Sequence, residues 1–119
     1  MNESANKQLM QKIFDGLAKG DGRSFVHSLA DDFCWTISGS HRWAGTWRGK
    51  QVVRTELLEP LFARFADQYT NTAQRFIAEG DHVVVECRGR VMTKTGQPYH
   101  NRYCWVCRIA DGAAVLWRS

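Results

Sequence analysis

No apolar run in this chain approaches the roughly 20 residues of a membrane-spanning helix, and its opening, MNESANKQ, lacks the basic and apolar regions of a secretory signal. No membrane partner is therefore expected, and a cytoplasmic location follows by default. A disulfide framework is missing too. Cys34, Cys87, Cys104 and Cys107 all sit inside apolar patterns, as free thiols do in a reducing compartment. Cys104 and Cys107 have the C-x-x-C spacing of many metal and redox sites, but residues three apart on a strand point to opposite faces, so their sulfurs diverge. No metal and no cofactor is expected. Basic residues form neither a run nor a recognition helix. The net charge of +4 comes mainly from arginines scattered between Arg23 and Arg118, which suits dispersed surface and pocket charge and gives no reason to expect nucleic acid. No linker-like stretch divides the chain, so residues 1–119 are read as one domain. No residue constellation identifies a substrate.

What the chain does have is enough apolar material for a core, 44% hydrophobic and 12% aromatic residues. Its first third reads as helical. Leu9, Met10, Ile13, Phe14 and Leu17 recur at helical spacing up to a Lys19-Gly20 stop. Asp21 then caps a short helix with Phe25, Val26 and Leu29 inward, and Asp31-Asp32 reads as a turn into a strand from Phe33 to Ser38. After the loop GSHRWAGTWRGK a third helix starts near Lys50 with Val53, Leu57, Leu58, Leu61, Phe62 and Phe65 inward. Pro60 should kink it or open a second segment. A meander of β-type runs follows, Tyr69 to Ala78, His82 to Met92, Pro98 to Ala110 and Ala113 to Arg118, joined by Gly-containing turns. Helices first and strands after imply an α+β domain, a sheet with helices on one face.

The hairpin around Thr95-Gly96 decides which side chains share a pocket. A two-residue loop sets Glu86 opposite Trp105, Arg88 opposite Tyr103 and Arg90 opposite Asn101, and paired residues point to one face. That face would carry Glu86, Arg88, Arg90, Asn101, Tyr103 and Trp105. The other would carry Val83, Val85, Cys87, Cys104 and Val106. A loop one residue longer would exchange the sets. In the two-residue register Glu86 is a candidate general base or ligand anchor, with a structural ion pair as its plainer role. Tyr103 and Asn101 are candidate donors to a ligand oxygen, or Tyr103 a core aromatic. His41 is a candidate at the pocket edge, and His100 falls on the face away from Tyr103. Trp35 and Trp105 have the parity to line an apolar pocket.

Together the helix ending in Ala18-Lys19-Gly20-Asp21, the step Leu29-Ala30-Asp31-Asp32-Phe33, the pattern Trp43-x-Gly45 then Thr46-x-Arg48-Gly49, and the strand pair closed by Ala110-Asp111-Gly112 resemble the SnoaL-like and ketosteroid-isomerase-like proteins of the nuclear transport factor 2 superfamily. The resemblance covers almost the whole chain. It implies a cone-shaped α+β fold, a curved antiparallel sheet with about three N-terminal helices covering a pocket, and commonly a homodimer formed through the sheet. Such proteins include isomerases, cyclases, dehydratases and hydrolases beside members with no chemistry. The steroid-isomerase carboxylate base, phenol and protonated carboxyl are not matched here, because Ile37, Ile13 and Trp105 stand at those positions. The C-terminal run VLWRS also departs from the Glu-Tyr-x-Asp type of ending common among relatives. Two readings follow. In one, the cavity binds a small, largely apolar molecule through Trp35, Ile37, His41, Arg88, Asn101 and Trp105, with cofactor-free acid-base chemistry at Glu86 and Tyr103. In the other, the protein is a non-catalytic dimeric binding module.

Overall fold

The computed structural model describes residues 3–119. Helix α1 (Glu3–Leu17) buries Met10, Ile13 and Phe14 along one stripe, as the 3.6-residue period requires. Helix α2 (Arg23–His27) is a short segment that inserts Phe25. Strand β1 (Leu29–Ile37) leads into β2 (Gly45–Arg48). Next comes a helical rod built from α3 (Lys50–Val52), a π-helical stretch (Val53–Leu58) and α4 (Glu59–Phe62). Strands β3 (Thr70–Glu79), β4 (His82–Arg90), β5 (Asn101–Ala110) and β6 (Ala113–Arg118) complete the chain. The six strands form one sheet in the order β2-β1-β6-β5-β4-β3. Every neighbouring pair is antiparallel except β1 with β6. The helices cover one face, and no helix is long and apolar enough to cross a membrane.

Three local features depart from the sequence reading. Asp31 and Asp32 belong to β1 and not to a turn before it. Both are exposed where its register with β6 shifts, and a bulge there leaves two consecutive residues facing solvent. The loop after β1 contains β2, a short and mostly exposed strand without the alternation that marks a buried one. Pro60 interrupts the rod as expected, but through the wider π turn before it, which relieves the clash of its ring with the preceding carbonyl and absorbs its missing N–H.

The core lies between the inner face of the sheet and the helices, and it is unusually aromatic. Trp117, fully buried, has its ring centroid 4.9 Å from Phe25, 4.9 Å from Trp105, 5.3 Å from Trp35 and 5.9 Å from Phe33. Trp105 extends this cluster to Phe14 at 5.7 Å and Tyr103 at 5.2 Å. Backbone bonds from Ser38 N–H to the Ser119 carbonyl and from Ser119 N–H to the Thr36 carbonyl hold the end of β6 against β1.

The β4–β5 hairpin corrects the two-residue-loop register. Gly96 N–H bonds the Thr93 carbonyl and Thr93 N–H bonds the Gln97 carbonyl, so the loop is Lys94-Thr95-Gly96 with Gly96 left-handed at φ 84°. This is the three-residue hairpin in which a turn is followed by a left-handed residue. The Thr93 hydroxyl accepts the Gln97 N–H at 3.1 Å and locks it. The extra loop residue shifts every pair by one. Cys87 now faces Tyr103, Val85 faces Trp105, Glu86 faces Cys104 and Arg88 faces Arg102. The inner face therefore carries Val83, Val85 and Cys87 with Tyr103, Trp105, Cys107 and Ile109, and the outer face carries Glu86, Arg88, Cys104 and Val106. Cys104 is exposed and Cys107 buried, on the opposite faces that strand alternation demands.

Candidate functional site

Between the concave face of the sheet and the helices lies a cavity of about 710 Å³, within the range of small-molecule sites. Its floor is the inner face of β1, β5 and β6, which presents Trp35, Ile37, Tyr103, Trp105 and Trp117. Leu57, Leu58, Leu61 and Phe62 form the opposite wall, and the wide π turn lies beneath the first two. The loop after β1 closes one side with His41, Arg42 and Trp43. No Asp or Glu side chain lines the cavity among the described residues.

Most candidates from the sequence converge here. Trp35, Ile37, His41, Asn101, Tyr103 and Trp105 all line the cavity. Glu86 and Arg88 do not. Glu86 points out of the opposite face of the sheet, where it forms an exposed ion pair with Arg75 at 3.4 Å. Arg88 lines a shallow outer groove of about 300 Å³ with Arg90, His100, Asn101 and Arg102. The pairing of Glu86 with Tyr103 in one enclosed space, expected from the shorter loop, is thus overturned by the register. Ile13 is fully buried in the core, so the three positions matched to the steroid-isomerase acids and phenol hold only apolar side chains. Glu86→Gln is accordingly expected to change stability by no more than about 0.5 kcal/mol in urea unfolding, the scale of an exposed pair.

The phenols form the main polar feature of the cavity. Asn71 Nδ2 donates to the Tyr69 hydroxyl at 2.9 Å, and Asn101 Nδ2 donates to the Tyr103 hydroxyl at 3.2 Å. The two phenols lie side by side over Gly89. Tyr103 oxygen accepts from Asn101, so its own proton can be given to a ligand oxygen. Burial pushes the Tyr69 phenol far above its ordinary range and that of Tyr103 upward as well, the latter partly offset by Asn101. Both stay protonated at neutral pH and act as donors.

Space for this pair comes from Gly89. Asn71, Gly89 and Asn101 form one row across three strands, and the missing side chain at its centre leaves the slot that the tyrosines fill. A Cβ there would sit 2.5 Å from the Tyr69 hydroxyl oxygen and 3.0 Å from Tyr103 Cε2. Gly89→Ala should thus lose about 1–3 kcal/mol to overpacking, outweighing the usual gain of alanine over glycine in a strand. Urea unfolding measures the loss, and altered tyrosine ellipticity in the near ultraviolet locates it.

The indoles supply apolar surface. Trp35, Trp105 and Trp117 each bury their Nε1 without a hydrogen-bond partner among the described residues, so they meet the cavity and one another through their rings and not as donors. His41 has both ring nitrogens engaged by the backbone. Nδ1 accepts the Trp43 N–H at 3.2 Å, and Nε2 lies 3.2 Å from the Ser38 carbonyl, to which that tautomer donates. Its evident work is to fix the loop, along with the bond from Trp47 Nε1 to the Trp43 carbonyl at 3.1 Å. Tyr69, Asn71, Trp117 and Arg64 were not singled out by the sequence. A glycine inside a strand, Gly89 in β4, was the available signal for the tyrosine slot.

The match to the SnoaL-like domain covers residues 10–117. This chain belongs to the SnoaL-like domain family. Its fold is that of the NTF2-like cone. An NTF2-like protein of unknown function from Burkholderia pseudomallei superposes with a TM-score of 0.81 at 22% identity, over 99% of this chain and 89% of the other. A candidate SnoaL-like polyketide cyclase from Jannaschia sp. CCS1 gives 0.78 at 17% identity, over 98% and 84%. TerC, co-crystallised with polyporic acid, gives 0.79 at 20% identity, over 96% and 88%. No curated protein matches this sequence significantly.

Proposed function

We propose that this SnoaL-like protein binds a small, largely apolar aromatic molecule in its cone cavity. The observation that carries the reading is a cavity of about 710 Å³ lined mainly by aromatic and aliphatic side chains, Trp35, Phe62, Trp105 and Leu61 among them, with the Tyr103 phenol and Asn101 as polar groups. A ligand with aromatic surface and an acceptor oxygen for Tyr103 suits this lining. The presence of a polyketide cyclase candidate and of a protein co-crystallised with polyporic acid among the structural neighbours supports the same class.

Tyr103 gives the reading its chemical side. A protonated phenol whose oxygen accepts from Asn101 is placed to donate to a ligand oxygen where negative charge develops, the role such donors play in cyclase, dehydratase and isomerase chemistry. With Glu86 paired to Arg75 outside, no Asp or Glu side chain among the described residues lines the cavity. The non-catalytic alternative rests on the outer face of the sheet. Ile77, half exposed, stands there beside Val84 and Val106 in adjoining register, and a second copy packed on that row would make the protein dimeric. Sedimentation as a monomer at high protein concentration rejects that assembly.

The test of binding uses N-phenylnaphthylamine, an uncharged aromatic probe that fluoresces in apolar surroundings. Saturable binding at one site per chain is expected, weakened about tenfold or more by Leu61→Trp, which fills the cavity wall. Binding that does not saturate, or that is indifferent to Leu61→Trp in a chain that still melts cooperatively, overturns the reading.

A further inference from the structure

The ion pairs of the described residues leave the cavity's own bases out. Asp21 holds Arg23 at 2.7 Å, Asp81 holds Arg108 at 2.8 Å and His82 at 2.7 Å, and Glu86 holds Arg75. Arg42, Arg64 and Arg102, the guanidiniums that line the cavity, have no carboxylate within ion-pair distance among the described residues. Acids are not scarce, since the chain has 12 of them. They are placed elsewhere.

Two of these cations also crowd one aromatic ring. The Arg42 guanidinium lies 4.8 Å from the Trp43 ring centroid and that of Arg64 lies 5.6 Å from the same ring. An indole attracts each of them, but two like charges held against one ring without a counterion repel each other. The loop that presents Arg42 and Trp43 is fixed by the bonds of His41 and Trp47, so the arrangement is preorganised. Beyond the rim, Arg88, Arg90 and Arg102 line the outer groove, and Arg88 stands directly opposite Arg102 in register. Around the mouth, then, these guanidiniums gather where no Asp or Glu side chain lines the cavity among the described residues, an arrangement that draws anions to a cleft.

We infer that the cavity's ligand is an anion, an aromatic body among the tryptophans with an ionised acid group, carboxylate or acidic enol, held at the mouth by Arg42 and Arg64. The inference rests on the cavity reading above and adds its charge. An anionic group at this end of the cavity offsets the positive charge of the two guanidiniums and gains charge-assisted hydrogen bonds. The acid group marks which end of the ligand faces out, and Tyr103 is the donor for an acceptor at the other end.

A matched pair of probes separates this inference from the reading it rests on. Anilinonaphthalenesulfonate is N-phenylnaphthylamine with one added sulfonate, so the ratio of their affinities isolates the value of the charge. In the intact protein at low salt the sulfonate is expected to bind about tenfold tighter or more than the uncharged parent, and sodium chloride should erode that ratio. The double variant Arg42→Gln/Arg64→Gln, whose changed side chains are exposed, should bring the ratio close to one. The control Arg88→Gln/Arg90→Gln, in the outer groove, should leave it within about twofold, the scale of a rim charge. A wild-type ratio near or below one, a ratio that survives loss of Arg42 and Arg64, or a ratio abolished by the outer-groove control overturns the inference while saturable binding of the uncharged probe leaves the cavity reading standing. Failure of both probes to bind removes the cavity reading and the inference with it.

Discussion

Replacing Trp117 with alanine is expected to cost about 3–5 kcal/mol of stability, a fall in Tm of about 10–20 °C for a chain of this size. The residue is fully buried and its ring meets Phe25, Phe33, Trp35 and Trp105 at once, so truncation removes the centre of the aromatic cluster. Collapse cannot fill the gap easily, because Trp35 and Trp105 are strand residues held by cross-strand pairing on both β1 and β5. The loss is therefore placed toward the top of the range for aromatic truncation. Trp117→Phe keeps one ring and the apolar contact, and it removes an indole N–H that has no partner. It should cost far less than alanine, and a urea series comparing the two substitutions checks the difference. Equal losses would mean that the indole N–H is satisfied in solution and that its bond is what matters.

Trp117 also illustrates how legible this chain was. Strand β6 was read from the sequence as Ala113 to Arg118 and is found there, but nothing in the run VLWRS says that its tryptophan is the hub of the core. That follows only from β6 lying between β1 and β5, an order that sequence adjacency does not reveal. Helix α1 was clear because Leu9, Met10, Ile13, Phe14 and Leu17 recur at helical spacing. Strand β2 was not, being four residues long and mostly exposed.

Glu86 shows where local pattern fell short by a single residue. Thr95-Gly96 reads naturally as a two-residue turn, yet glycine at the third position of a longer loop, after a turn begun by Thr93, uses the same residues. The arbiter was in the strands. Trp105, Cys107 and Ile109 share one parity, and only the longer loop puts them on the same face as Val83, Val85 and Cys87. Continuity of the apolar face outweighs the preference for a shorter turn, because a register slip moves every large side chain out of the core. Charge on the cavity was illegible for a related reason. Arg42 comes from the β1–β2 loop and Arg64 from the end of the helical rod, and they meet only across the ring of Trp43.

Alkaline pH is expected to destabilise this protein steeply, and the groups responsible can be named. Burial pushes the Cys87 thiol up to about 12 and raises that of Cys107 well above its ordinary value. Tyr69 and Tyr103 are raised by the same cause. Each group is neutral when protonated, and its folded-state pKa lies above the unfolded one. Below the unfolded value, near 9 for the thiols and 10 for the phenols, both states keep the proton and stability is intact. Above it the unfolded chain ionises and the folded one does not, so stability falls by about 1.4 kcal/mol per pH unit for each such group until the folded pKa is reached. Two thiols acting from about pH 9 and two phenols from about pH 10 add to several kcal/mol by pH 11, comparable with the whole stability of a small domain. Urea unfolding at intervals from pH 8 to 11, with the thiols kept reduced, should show a plateau followed by a steepening decline. Cys107→Val removes one titrating group from a fully buried site and should lower the slope between about pH 9 and 10 by one proton's worth. An unchanged slope in that variant would mean that the Cys107 thiol ionises as readily in the folded protein as in the unfolded chain, and that the packing around β5 is far looser than its burial implies.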